Sequence, residues 1–138
     1  MHVLHAYKAF PPDVTGGIPE AIAYITQGMS SRHQSSLLVA RNRGLRRRFI
    51  LDGLSVEAVT SFGTVMSSPL APSFPLVLAK RAREVAVVAL HHPFPLNDIG
   101  VAMSLPERTA LVVHWHTKIV GKRPFAAVLV PIVRRTLA

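Results

Sequence analysis

The sequence predicts an α/β fold in which a parallel, Rossmann-like sheet is flanked by helices. Strand-like and helix-like segments alternate along the chain, which is the pattern of a doubly wound sheet. Two segments, "VAVVAL" (85–90) and "ALVVHW" (110–115), are continuously apolar, as parallel strands covered on both faces are. The chain has 138 residues, of which 49% are hydrophobic, and this is enough for one domain with one core.

The first predicted unit is a strand followed by a helix. "HVLHAY" (2–7) is short and apolar, and the Pro11-Pro12 pair that follows ends it. A helix is expected from Ile18, with Pro19 in the first turn, where its missing N–H has no intrahelical partner to lose. The apolar positions of this helix recur at helical spacing: Ile18, Ile22, Ile25 and Met29.

Two strands and a second helix are predicted in the middle of the chain. "SSLLVA" (35–40) is a strand that ends in a basic turn over 41–48. "LSVEAVTSF" (54–62) alternates between apolar and polar residues and predicts the next strand. Three prolines predict a loop over 67–75, after which "PLVLAKRAREV" (75–85) predicts a short helix.

A third helix and a C-terminal amphipathic segment complete the expected elements. "PLNDIGVAMSL" (95–105), between the two apolar strands, is expected to be helical. The tail over 124–137 predicts an amphipathic helix interrupted by Pro131. Because no repeat, linker or low-complexity segment divides the sequence, residues 1–138 are expected to belong to one domain.

The charge of the chain indicates an anionic partner. Sixteen Lys and Arg residues against seven Asp and Glu residues give a net charge of +9. The basic residues cluster at 41–48, 80–83, 118–123 and 134–135, and such clusters on an apolar chain suit acidic lipid headgroups. The alternative is a solvated basic face without a partner. Nucleic acid is less favoured, because neither interleaved aromatic residues nor a reading-helix motif accompanies the arginines.

Several other classes are disfavoured by composition. The apolar runs fall short of the roughly 18–20 residues that a membrane-spanning helix needs. The N-terminal "MHVLHAYKAF" lacks the basic and apolar regions of a signal peptide, and the absence of cysteine removes disulfides and thiolate zinc sites. A cytoplasmic protein is therefore expected.

Three unusual segments each follow a predicted strand, at 11–17, 91–98 and 114–118. Ligands of open parallel sheets collect beyond the carboxyl ends of the strands, so these segments are expected to share one edge. Gly16 and Gly17 open a helix whose first N–H groups could bind a phosphate. A glycine turn required for tight packing is the alternative, since neither a G-x-G-x-x-G nor a G-K-[ST] motif is present.

Histidines dominate the other two segments. His114 and His116 share one face of their predicted strand, and His91 and His92 follow the neighbouring strand. Imidazole pairs suit zinc or copper, but no acidic cluster and no known zinc spacing accompany them, so we expect no metal. Use of one histidine in binding or catalysis, and a purely structural role, both remain open. Phe94, between two prolines, is expected to pack beneath the site.

The sequence resembles the N-terminal half of family-four glycosyltransferases with the GT-B fold. The likeness is carried, in order along the chain, by "HVLHAYKAFPPDVTGGIPEAIAYI", "VVALHHPFPL", "LVVHWHTKIV" and "PIVRRTLA". It implies two Rossmann-type domains that face each other across a cleft. It also implies transfer of a sugar from a nucleotide donor with retention at the anomeric carbon and usually without a metal. The N-terminal half would carry the acceptor site and the other half the nucleotide sugar.

The resemblance implies roles for individual residues. Gly16 and Gly17 match the glycine loop that faces the acceptor and the donor diphosphate. His116 matches the histidine of the "WH" motif, which reaches the transferred sugar near the reaction centre. A loop on the acceptor side would be formed by the remaining matches, His91, Pro93 and Phe94.

The sequence also departs from the family pattern. Lys118, on the acceptor side of the proposed centre, stands where the family tends to have an acidic residue. Ala86 and Ala89 stand where it tends to have Asp and His. The resemblance also leads us to expect that the second domain and the last strands of the first are missing from these residues, which end at "RRTLA" (134–138).

These observations predict the acceptor-binding domain of a glycosyltransferase of cell-surface polysaccharide or glycolipid synthesis, truncated and inactive alone. Its partners would be a C-terminal donor domain, a nucleotide sugar used as a substrate and not as a cofactor, and a glycan or lipid-linked acceptor. Basic clusters would hold it at the anionic inner face of the membrane. Two alternatives stay open: a stand-alone basic module for phosphorylated ligands or nucleic acid, and a degenerate, non-catalytic remnant.

Overall fold

A mixed sheet of six strands forms the centre of the molecule, and the computed structural model describes it within residues 1–116. The strands of this sheet are β1 (His2–Ala6), β2 (Gln34–Ala40), β3 (Arg47–Leu51), β4 (Leu54–Val59), β7 (Val87–His92) and β8 (Ala110–Trp115). They lie in the order β3-β4-β2-β1-β7-β8, and all run parallel except β3, which is antiparallel to β4. A small separate hairpin pairs β5 (Thr64–Val65) with β6 (Ser68–Pro69). The fold is thus α/β with a mostly parallel sheet, as the sequence predicts.

In the described part of the chain three helices cover the sheet: α1 (Gly17–Met29), α2 (Phe74–Ala82) and α3 (Pro95–Met103). One face of the sheet packs on α2 and α3 through a core that contains Leu4, Leu78 and Leu90. The opposite face packs on α1 through Ile22 and Leu37. Because neighbouring residues of a strand point to opposite faces, consecutive residues such as Leu37 and Leu38 fall into the two different cores.

The strand order reverses between β1 and β7. From β1 the chain proceeds outward through β2 to β4, and it then returns to place β7 on the other side of β1. Ligands of open α/β sheets bind in the crevice outside the carboxyl ends of the two strands at such a switch point. The carboxyl ends of β1 and β7 are therefore the part of the fold that positions a ligand site.

Four of the predicted elements differ from the structure. The predicted basic turn over 41–48 is wrong at its end, because Arg47 and Arg48 begin the edge strand β3. The strand predicted over 54–62 ends at Val59, where the chain turns toward the β5–β6 hairpin, part of which lies in the predicted loop. The helix predicted over 75–85 ends at Ala82.

The fourth difference concerns the site. The strand predicted over 85–90 is β7, Val87–His92, so His91 and His92 lie within a strand and not in the loop after it. The register explains the shift, because β7 pairs with β8 as far as His92 opposite Trp115. The predicted tail helix over 124–137 lies outside the described residues. None of the helices in the described part of the chain has both the length and the apolar character to cross a bilayer.

Candidate functional site at the carboxyl edge of the sheet

Imidazole rings from three adjacent strands meet on one face of the sheet near the switch point. Nδ1 of His5, in β1, lies 3.0 Å from Nε2 of His91, in β7. His91 Nδ1 in turn lies 2.8 Å from Nε2 of His116, which follows β8. The His114 ring stacks on His91 with 4.6 Å between ring centroids and 6° between ring planes. The structure therefore brings together the sequence-predicted His91 and His116, and it adds His5.

Burial keeps this histidine chain, His5–His91–His116, uncharged. Burial, reinforced by the neighbouring imidazoles, lowers the pKa of His5 to about 4 and the pKa of His91 to about 2. The half-buried His116 also has a pKa below its ordinary value, because of burial and the nearby His114. At neutral pH the three rings are neutral, so each carries one N–H donor and one acceptor nitrogen.

A buried histidine–aspartate pair lies on the other face of the sheet. His92 Nε2 lies 2.8 Å from Oδ1 of Asp98 in α3, and both side chains are fully buried. Burial, together with the nearby His116, lowers the pKa of His92 to about 4, so its ring is neutral at neutral pH. Trp115 stacks on the His92 ring at 5.2 Å. This pair is a packed structural unit beneath the edge.

Asn97 joins the two strands of the switch point. Its side-chain amide donates to the carbonyl of Ala6 at 3.1 Å and to the carbonyl of His91 at 3.2 Å, and the residue is completely buried. These are the carboxyl ends of β1 and β7. Sequence reasoning missed Asn97 and Asp98, although two polar residues in the first turn of an apolar helix were the available signal.

The other predicted residues of the β7 segment are placed differently. Phe94 is fully buried and packs on Phe74 with 4.9 Å between ring centroids, where the residue pattern predicts it. Pro93 is half-buried and follows a cis peptide bond. Lys118 lies outside the described residues. The acceptor-lining roles of these three residues stay predictions.

The glycine pair lies at the start of α1, at the end of the loop that follows β1. Gly16 has a φ of 156° and Gly17 is the first helical residue, and both are exposed. A Cβ added to either one would meet no atom within 4 Å, so tight packing does not explain the pair. No hydrogen bond or ring contact among residues 1–116 links the glycines to the histidine chain.

Asp13 fixes the position of this glycine loop. Its carboxylate accepts a hydrogen bond from Nε of Arg41 at 2.7 Å and one from the backbone N–H of Asn42 at 3.0 Å. Although burial opposes the charge, these two bonds and the Arg41 charge hold the pKa of Asp13 below its ordinary range. Arg41 also donates to the carbonyl of Leu45 at 2.9 Å. The glycine loop is thereby joined to the basic segment after β2.

A groove of about 1360 Å³ runs along α1, from Gly16 and Gly17 at one end to Ser30–Ser35 at the other. Its opposite wall is the turn between β3 and β4, Leu51–Ser55. None of the residues of the histidine chain lines it. The groove and the histidine chain are separate features of the described part of the chain.

The loops beside β3 expose a basic–apolar patch. Backbone hydrogen bonds of 2.9 Å pair Gly44 with Ser61, and the N–H of Phe62 donates to the Leu70 carbonyl at 3.0 Å, so these loops are adjacent. The patch consists of exposed apolar residues and exposed arginines: Leu45, Phe62, Val65, Met66 and Leu70 with Arg43, Arg46, Arg47 and Arg48. Arg46 and Arg48 both pair with Glu57. Because this one carboxylate stands against the four arginines of the patch, the patch keeps a net positive charge.

Within residues 1–116, no group of three or more His, Cys, Asp or Glu side chains is arranged to hold a metal ion. The histidine chain illustrates why. Both ring nitrogens of His91 lie within hydrogen-bond distance of another imidazole. The lone pair of the neutral ring is therefore engaged by an N–H donor. A metal ligand would need that lone pair.

Comparison with known proteins supports a relationship to glycosyltransferases. No family model matches the chain, and no solved structure matches it. The chain is similar to O-antigen chain mannosyltransferase C of Escherichia coli, with 26% identity over 143 aligned residues. The similarity covers the whole chain but only 37% of the length of that relative. A coarse glycosyltransferase relationship is what the sequence similarity and the α/β fold support together.

Proposed function

We propose that this chain is the acceptor-binding, N-terminal domain of a retaining glycosyltransferase with the GT-B fold. It would act with a donor-binding domain that moves a sugar from a nucleotide sugar to a cell-surface polysaccharide or lipid-linked acceptor. The observation that carries the proposal is the position of His116, which hydrogen-bonds to His91 beside the switch point of the sheet. The similarity of the whole chain to a mannosyltransferase supports the same reaction class.

In this proposal His116 contacts the transferred sugar. Its neutral imidazole offers one ring nitrogen, because the other is bound to His91. A neutral ring with a lowered pKa hydrogen-bonds to a hydroxyl or phosphate oxygen and carries no charge of its own. Gly16 and Gly17 would approach the acceptor and the donor diphosphate, with the N-terminal N–H groups of α1 pointing at negative charge.

The nucleotide sugar would be a substrate and would be held mainly by the donor domain. Stabilisation of the leaving diphosphate requires fixed donors and cations aimed at the developing charge. We propose that those groups belong to the partner domain and that these 138 residues do not transfer sugar alone.

Titration calorimetry with nucleotide sugars tests this division of labour. We expect the 138-residue chain to show no tight donor binding, and we expect donor binding to appear when the chain is joined to a donor domain. Tight binding of a nucleotide sugar by the isolated chain would contradict the proposal. A calorimetric titration with the corresponding free sugar separates recognition of the nucleotide from recognition of the sugar.

We further propose that the basic–apolar patch holds the protein at the cytoplasmic face of an anionic membrane. Phe62 is 72% exposed and Leu45 is 78% exposed, although both are large apolar side chains. Exposed Arg43 and Arg46 lie within two residues of Leu45 in the sequence, and each basic residue near an anionic bilayer adds about 1 kcal/mol of attraction. Apolar side chains that enter the headgroup region and arginines that bind lipid phosphates act together, which suits the delivery of a lipid-linked acceptor.

Vesicle flotation tests the membrane proposal. We expect the chain to float with vesicles of phosphatidylglycerol and phosphatidylcholine but not with phosphatidylcholine alone. Phe62→Glu should weaken flotation, while Tyr24→Glu, at an equally exposed aromatic residue on α1, should not. Equal effects of the two variants would contradict the assignment of the patch. Steeply salt-dependent binding to oligonucleotides without vesicle preference would favour the basic module instead.

A further inference from the structure

The histidine chain permits only two arrangements of protons. The centroids of His5 and His91 are 5.3 Å apart and those of His91 and His116 are 5.1 Å apart, while the nitrogens that face each other are 3.0 and 2.8 Å apart. The rings therefore meet edge to edge through their nitrogens. Each neutral ring has one N–H and one lone pair, so all N–H groups along the chain must point in the same direction.

In the first arrangement the N–H groups point away from His5. His5 Nδ1–H donates to Nε2 of His91, and His91 Nδ1–H donates to Nε2 of His116. His116 then carries its proton on Nδ1. In the second arrangement every bond is reversed, so His116 donates from Nε2 and its Nδ1 is a bare acceptor.

The inner end of the chain distinguishes the two arrangements. His5 Nε2 is buried and has no hydrogen-bond partner among residues 1–116. In the first arrangement this atom is a bare lone pair, whereas in the second it is an N–H without an acceptor. Among buried backbone groups, N–H donors without acceptors are rarer than under-satisfied acceptors, and we apply the same preference to the imidazole. The first arrangement is therefore the more stable one.

We propose that His5 and His91 are positioning residues that hold His116 as the Nδ1–H tautomer. His116 would then serve as a hydrogen-bond donor toward a ligand oxygen at the carboxyl edge and could not accept a proton at Nδ1. Within residues 1–116 no hydrogen bond to His116 Nδ1 is present, and the proposal gives this nitrogen to the ligand. That the ligand oxygen belongs to a sugar or its phosphate rests on the proposed function, but the tautomer does not.

Two further contacts favour the uncharged state of the histidine chain, which the proposal requires. The stacked His114 ring covers one face of His91, and Tyr7 meets the same ring edge-on at 6.4 Å. Burial and the adjacent rings lower the pKa of each member of the chain, so none is protonated at pH 7. A protonated member would donate from both nitrogens and would break the single direction of the chain.

Long-range nitrogen–proton NMR on the uniformly ¹⁵N-labelled, 138-residue protein at pH 7 tests the proposal directly. We expect the Nδ1 resonance of His116 to have the shift of a protonated nitrogen and the Nε2 resonance to have the shift of a lone-pair nitrogen. The reverse pattern, or rapid averaging of the two, would overturn the proposal. The measurement needs no substrate, so its failure is distinct from a failure to bind or transfer sugar.

Two variants test whether the histidine chain determines the tautomer of His116. His91→Phe keeps an aromatic ring but removes the donor to His116, so we expect His116 to shift toward the Nε2–H tautomer that solvated imidazole favours. His114→Phe is the matched control, because His114 stacks on His91 without a hydrogen bond to it, and it should leave the His116 tautomer unchanged. An unchanged tautomer in His91→Phe would overturn the positioning role. If His91→Phe does not fold, the wild-type spectrum still decides the tautomer.

Discussion

Nδ1 of His91 lies 2.8 Å from Nε2 of His116, and this single bond ties the residue after β8 to the middle of the switch point. The two residues are 25 positions apart, with His91 in β7 and His116 directly after the neighbouring parallel strand β8, so the bond depends on the register that places His91 opposite His114. A half-buried side chain beyond the last residue of β8 would otherwise be free to rotate. The contact gives His116 one orientation.

His116→Ala should lower turnover strongly in a protein that also contains the donor domain. Removal of one preorganised hydrogen-bond donor from an active site typically costs about 10²–10³ in kcat. We expect the melting temperature to change little, because His116 is half-buried and lies beyond the last residue of β8. Steady-state kinetics and thermal unfolding measure the two effects, and unchanged turnover would remove His116 from the site.

Asn97→Ala should destabilise the fold. The substitution leaves the buried carbonyls of Ala6 and His91 without their side-chain donor, and each such loss costs roughly 1–3 kcal/mol. Urea unfolding measures the change. Asn42→Ala is the matched control, because the Asn42 contact to Asp13 uses only its backbone N–H. A loss in the control as large as that in Asn97→Ala would contradict this assignment.

The stability of the protein should fall as the pH falls below 6.5. His5, His91 and His92 have pKa values of about 4, 2 and 4 in the folded protein against 6.5 as the unfolded reference. The unfolded state therefore binds more protons in this window, and stability is complete above pH 6.5 and decreases toward pH 4. Each histidine contributes up to about 1.4 kcal/mol per pH unit.

Urea titrations at several pH values check this dependence. His5→Phe removes one of the three buried imidazoles and should make the decline of the unfolding free energy with falling pH less steep. A decline that is identical in wild type and variant would show that His5 does not hold a lowered pKa.

Alanine substitutions at two helical glycines should have opposite effects. A Cβ at Gly100 of α3 would lie 2.8 Å from Cδ2 of Leu78, which is itself fully buried in α2 and cannot yield. We expect Gly100→Ala to cost about 1–3 kcal/mol through overpacking. Gly28→Ala in α1 meets no atom within 4 Å and should stabilise the protein by about 0.5–1 kcal/mol. Thermal unfolding of both variants tests the packing of α2 against α3, and equal effects would contradict it.

The fold class was predictable because the buried strands carry their own signal. β7, which is buried along most of its length, overlaps the predicted "VAVVAL" segment, since a strand covered on both faces must be continuously apolar. β8 coincides with the predicted "ALVVHW" segment, although its side chains are exposed or half-buried. β3 was missed for the opposite reason. It is an edge strand whose arginines keep the edge from pairing with other chains, and its composition therefore resembles that of a turn.

The candidate site was predictable in part. His91 and His116 could be placed near each other, because each comes directly after one of two neighbouring apolar segments. The carboxyl ends of those segments must share an edge of the sheet. The participation of His5 was not predictable, since it depends on the register between β1 and β7, which are more than 80 residues apart in the sequence. The Asn97 bridge depends in the same way on where α3 docks.

Arg41 gives the molecule a mechanical link between two surfaces. Its guanidinium binds Asp13 in the glycine loop and the carbonyl of Leu45 in the basic–apolar patch. A bilayer that anchors Leu45 would therefore set the height of Gly16 and Gly17 above the lipid headgroups. On the proposed function, the same arginine would couple the membrane-facing patch to the loop that approaches the acceptor.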